Sequence, residues 1–225
     1  MTRGTRIAVK AAIAVGGLCV LAFLFLRSVR DSKATPYVIP ADAMQGWTLE
    51  LGDGAEPSDP VLMLQPPAVF SRSLFGQVFK RVMESMDTPA TPAIPLLLRR
   101  EFDRSFAGRI SPDALLAAAR TAGLDERAFV PVCLAHRRAS DPGQTRQLYF
   151  VLFDAPAFGR FREQLATRAD DGARPSGDGF EAAALSPLLF VAVSGSTFSH
   201  WLPLRANPAT DCVSPIAIGP GQQGP

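Results

Sequence analysis

FVPVCLAHRRASDPGQTRQLYFVLF, residues 129–153, reads as a strand, a turn and a strand. The middle, ASDPGQT (139–145), holds the Asp, Pro, Gly and Ser that reverse a chain. The second arm closes on Leu148 to Phe153, six apolar residues in a row. A strand with one solvated face would alternate, so this run predicts a strand covered on both faces. Leu188 to Val193 repeats the pattern further on. The fold therefore needs a sheet with material packed on each side.

Downstream of the hairpin, Asp154-Ala155-Pro156 opens a helix, with Phe158, Phe161 and Leu165 at core spacing. ADDGARPSGDG (169–179) reads as a solvent loop. WLPLRANPATDCVSPIAI (201–218) is irregular, with an edge strand expected near its end, and GPGQQGP (219–225) is a loose tail.

Upstream, Ser111-Pro112-Asp113 is a strong helix start. Serine caps, proline fits the first turn and aspartate meets the positive end of the dipole. The helix Pro112 to Ala122 should stop at Gly123, in the left-handed conformation. Leu96 to Leu98 reads as a strand closed by Arg99-Arg100-Glu101. From Ser71 to Met86, Leu74, Phe75, Val78, Phe79, Val82 and Met86 recur at helical spacing, with Arg72, Gln77, Lys80, Arg81 and Glu84 on the other face. DTPATPAIP (87–95) ends that helix. Trp47 to Leu51 alternates like a half-buried strand, and VLML (61–64) is a second one. Strands and helices interleave without strict alternation. The expected class is α+β or mixed α/β, with a sheet of about five or six strands packed by three helices.

The N-terminus is of another kind. From Ala11 to Leu26 there is no charged or strongly polar side chain, and from Ile7 only Lys10 interrupts. Twenty helical residues span ~30 Å, the thickness of bilayer hydrocarbon. A core helix would need a polar face. A cleaved leader usually has a shorter apolar region followed by small residues, whereas Arg27 and Arg30 follow here at once. The segment is expected to be a retained transmembrane signal-anchor within residues 1–33, touching lipid through residues 7–26. An extended tether (34–45), a globular domain (46–218) and the tail (219–225) follow. Lys and Arg are balanced across the span, so the α-amine decides the orientation: N-terminus in the cytoplasm, domain on the outer (periplasmic) side of the cytoplasmic membrane.

Charge supports the division. Of 23 bases and 21 acids, residues 1–33 hold six and one, leaving 17 and 20 for the rest, or −3. A mildly acidic domain carries no electrostatic footprint for nucleic acid. Beyond Cys19 there are two cysteines, Cys133 and Cys212. An oxidising compartment could pair them, and they could equally be small buried hydrophobes.

Chemistry is sparse. Cys133-x-x-His136 with His200, Asp211 and Cys212 could ligate zinc, but an offset of three on a strand points Cys133 and His136 to opposite faces. Ser194-Gly195-Ser196 follows a buried strand but lacks the glycine pattern of a nucleophile elbow. No phosphate-binding glycine motif is present and no cofactor is implied. Arg99 and Arg100, with His136, Arg137 and Arg138, fall at strand ends; on neighbouring strands they would form an anion or partner surface. Trp201 beside Leu202 and Leu204 could be a recognition surface. These features predict a non-catalytic binding or assembly module of the cell envelope, with another envelope protein as partner. The alternative is an anchored, hydrolase-like enzyme using His136 or His200.

Overall fold

The computed structural model describes residues 16–27, 35–141, 144–170 and 180–220. The chain divides into two compact units, Met1–Pro36 and Tyr37–Pro225. In the first unit residues 16–27 are helical (α1), and every one of them is exposed. The rest of the expected span, residues 7–15, lies outside the described residues. Among those described, no helix is long and apolar enough to cross a membrane.

Among the described residues the second unit is an α+β domain of eight strands in two sheets. The first sheet holds β1 (Tyr37–Pro40), β8 (Cys212–Gly219), β5 (Val130–Asp141), β6 (Gln144–Asp154) and β7 (Leu188–Ser194), in that spatial order. Only the β1–β8 pair is parallel. The second sheet is antiparallel: β2 (Thr48–Leu51), β3 (Pro60–Gln65) and β4 (Ile94–Leu98). The helices are α2 (Ala68–Val82), α3 (Arg99–Ser105), α4 (Pro112–Thr121), α5 (Pro156–Asp170) and the single turn α6 (Pro208–Asp211).

The hairpin occupies the centre, as its apolar run requires. Both faces of β6 are covered. Tyr149, Val151 and Phe153 join a large core with α2, α4, α5 and the second sheet. Leu148, Phe150 and Leu152 join a smaller core with Cys133, Phe190, Trp201 and Leu204. The large core centres on Trp47, whose ring stands edge-on to Phe70 at 5.4 Å and to Phe153 at 5.8 Å. Its indole N–H donates to Ala43 O at 2.9 Å, so the buried polar edge is satisfied.

Several expectations need correction. The strands form two sheets, not one, because β4 turns back on β3 and its far end runs straight into α3. Arg99-Arg100-Glu101 does close the strand, but as the first turn of α3, where the Glu101 carboxylate accepts from Leu98 N–H. The helix expected to run to Met86 ends at Val82, because Met83 adopts φ 55° as its left-handed cap. Residues 37–40, expected within the tether, are extended as their prolines demand but belong to the sheet as β1; residues 41–44 form a 3-10 turn whose Ala43 is buried. β8 is not an edge strand, since it lies between β1 and β5. The irregular segment after Trp201 is the second cover of the central sheet. Helix α4 starts and stops where Ser111 and Gly123 place it: Ser111 Oγ accepts from Ala114 N–H at 3.2 Å, and Gly123 has φ 70°.

Candidate functional site

β4 and β5 lie in different sheets, so Arg99 and Arg100 are not on a strand that neighbours the one carrying His136, Arg137 and Arg138. Arg99 is committed locally, its Nε donating to Gly54 O at 3.1 Å. Arg137 is tied to the C-terminal cover through an ion pair with the Asp211 carboxylate and a hydrogen bond to Arg205 O at 2.9 Å. Trp201 is no exposed recognition surface: it is only 9% exposed, and its indole N–H donates to Ser196 Oγ at 2.9 Å. That contact also gives the 194–196 turn its role. Gly195 has φ 68°, and a Cβ there would meet Thr145 O at 2.5 Å, so the residue must be glycine.

Cys133 and Cys212 are joined by a disulfide, with their Cα atoms 5.7 Å apart. Neither sulfur is then available to a metal. Among the described residues no group of three or more His, Cys, Asp or Glu side chains could hold one. His136 does point away from Cys133, and the two belong to opposite faces of β5.

His136 sits in a polar cluster that a reading of the sequence did not assemble. Its ring stacks on Tyr149, centroids 4.4 Å apart. Its Nε2 lies 3.0 Å from Gln147 Oε1, and an amide oxygen only accepts, so this nitrogen carries the proton. The same oxygen accepts from Arg138 Nη2 at 3.2 Å, while Gln147 Nε2 donates to Glu84 Oε2 at 2.6 Å. Gln147 itself is buried. Partial burial holds the imidazole below its ordinary value; the Gln147 hydrogen bond and Glu84 oppose that shift, and Arg138 adds to it. Burial likewise pushes the Tyr149 and Tyr37 phenols up. The signal that could have revealed the cluster was register. Arg138 faces Gln147 and His136 faces Tyr149 across the hairpin, so four polar or amphipathic groups share one face.

Among the described residues no carboxylate is hydrogen-bonded to or paired with either histidine. His200 is exposed, and its Nδ1 lies 3.0 Å from Thr197 Oγ1. Ser199 Oγ meets the same hydroxyl at 2.9 Å.

Other concavities lie elsewhere. A groove of about 680 Å³ runs between α2 and the open side of β1, lined by Val38, Arg72, Ser73, Gly76, Lys80 and Pro220 among others. A smaller cleft of about 240 Å³ is bordered by Asp59, Thr91, Phe190 and Ser199. Comparison with protein-family models, with curated proteins and with solved structures gives no match to this chain.

Proposed function

We propose that the chain is a membrane-anchored binding or assembly module on the outer side of the cytoplasmic membrane, held in the bilayer by its N-terminal apolar helix and without catalytic activity of its own. The disulfide carries the reading. Such bonds persist in oxidising compartments outside the cytoplasm, and this one stands in a chain whose N-terminal apolar run is long enough to export and retain it. The exposed apolar side chains of residues 18–26 in α1 support it, because lipid is the environment that would cover them. The polar side chains singled out in the sequence add support. Arg137, Ser196 and Asp211 are engaged in holding the domain together, as a scaffold for recognition requires.

The test is made on intact cells producing the full chain. After alkaline extraction the protein should stay with the membranes. Cys133 and Cys212 should resist an impermeant maleimide until a reductant is added, and a partner should co-purify after gentle solubilisation. A native polypeptide beginning near Thr35, or recovery of the chain in the salt-washed aqueous fraction, would sink the anchor. Reduced cysteines in intact cells would sink the location. A strictly monomeric protein that captures nothing across several detergents would sink the assembly role.

A further inference from the structure

Helix α2 carries charge unlike the rest of the domain. Its fifteen residues contain Arg72, Lys80 and Arg81 and no acid, giving +3 within a region whose total is −3. Its inner side is formed by Phe70, Leu74 and Val78, all fully buried. At 100° per residue the opposite arc holds Val69, Arg72, Gly76, Phe79, Lys80 and the capping Met83. Val69 is 41% exposed, Phe79 48% and Met83 83%. Arg72 and Lys80 have no hydrogen bond or ion pair among the described residues. Between them Gly76 leaves a gap, since a Cβ there would meet nothing within 4 Å. This gap opens onto the 680 Å³ groove, where Ser73 Oγ is buried without a partner.

From this face we infer that α2 lies on the membrane surface, with Arg72 and Lys80 holding anionic phospholipid headgroups above Gly76 while Val69, Phe79 and Met83 enter the interface. The inference rests on the anchored reading above. Exposed apolar side chains mixed with cations, and no acid within the helix, are what an anionic bilayer surface accepts; Glu84, exposed just past Met83, is engaged by Gln147. A water-facing helix would show acids and few exposed aromatics, and a groove for an acidic peptide would have no need of Met83 and Phe79. The covalent chain allows it. Residues 27–36 join the apolar run to β1, a reach of at most about 35 Å. β1 is bound to α2 through Gln77, whose amide bonds both Val38 N–H and Val38 O.

The full chain, with Cys19→Ala and Met83→Cys carrying a bimane label, is placed in nanodiscs whose lipids are brominated near the headgroup. The label should be quenched in discs with about 30% anionic phospholipid, and much less in zwitterionic discs or in 0.5 M salt. Each cation near an anionic surface raises occupancy about fivefold, so Arg72→Gln with Lys80→Gln should lower the docked-to-undocked ratio about 30-fold. Amide exchange of residues 68–83 in the unlabelled chain should slow in anionic discs and nowhere else. An unquenched label on a chain that stays in the disc overturns the inference and spares the anchor. Equal quenching in both lipids and in the double variant overturns the headgroup role. Protection of 68–83 by an acidic peptide with no quenching assigns the face to another occupant. A chain that elutes apart from the discs overturns the anchor and this inference together.

Discussion

Arg162 is 0% exposed, yet all five of its N–H groups have acceptors. Nε donates to Ala182 O, Nη1 to Leu96 O and Glu101 Oε2, and Nη2 to Glu101 Oε1 and Glu181 O, at 2.6–3.3 Å. Phe180 lies under the guanidinium at 4.7 Å. One side chain thus ties α5 to β4, to the start of α3 and to the segment entering β7. Removing it strands the Glu101 carboxylate, so Arg162→Met should cost about 3–5 kcal/mol, roughly 6–20 °C in Tm for a domain of this size. Adding Glu101→Leu should restore part of that, because no charge is then left unsatisfied, while Leu98 N–H and the carbonyls of Leu96, Glu181 and Ala182 still lose their partner. Thermal melts of the two singles and the double check the cycle; additive losses would contradict it. His136 makes a second prediction. Its folded value lies below its ordinary 6.5, so the unfolded chain takes up the proton first. The stability it contributes is whole above about pH 6.5 and is lost as the pH falls below that. Arg138, beside it, opposes the charge, while Glu84, reached through Gln147, favours it. Melts from pH 7.5 to 5 should therefore fall less steeply for His136→Gln than for the natural chain.

At the scale of elements, β1 shows how an exposed sheet edge is kept from pairing further. Its open side would present the backbone of alternate residues. Pro36 and Pro40 have no N–H, and Gln77 occupies both groups of Val38, accepting from its N–H at 2.9 Å and donating to its carbonyl at 2.7 Å. Gln77→Ala should speed amide exchange at Val38 and cost about 1–2 kcal/mol for two partly exposed bonds. It should also let the edge self-associate, which light scattering at rising concentration would reveal. An unchanged Val38 exchange rate would show that the side chain is not the clamp. The elements most legible in the sequence were those with local causes: α4 from its serine, proline and glycine, β6 and β7 from unbroken apolar runs. Helix α3 was hidden because two arginines and a glutamate after a strand read as a solvated end, whereas Glu101 is called inward by Arg162, 61 residues away. Phe79 was expected inside on periodicity alone. It lies outside because Phe70, absent from that stripe, rotates the buried face of α2 toward itself. The Glu84 end of the His136 cluster was illegible for a similar reason: Glu84 sits beyond the end of α2 and meets Gln147 only through the tertiary fold.

For the whole molecule, the disulfide matters most for the two strands at the ends of the domain. β1 pairs only with β8, and β8 meets β5 through three residue pairs interrupted by a bulge. The hairpin β5–β6 is by contrast paired over eleven positions, and β6–β7 over six. The Cys133–Cys212 bond spans 79 residues, and the chain-entropy model assigns a loop of that length about 4.5 kcal/mol, with about 2–4 kcal/mol typical of measured cases. Much of that stabilisation should reach β8 and, through it, β1, since the hairpin is already held by its own eleven pairs. Reduction, or Cys133→Ala with Cys212→Ala, should therefore raise amide exchange first in residues 37–40 and 212–219. Residues 144–154 and 188–194 should keep their protection until global unfolding. The groove between β1 and α2 would loosen in the same step, because Gln77 holds Val38 only while β1 is paired. If exchange in the reduced chain rises together in all five strands, the sheet is a single cooperative unit and the disulfide acts on the unfolded ensemble alone. If it rises first at the ends, the bond is the fastening of the strand that follows the N-terminal segment.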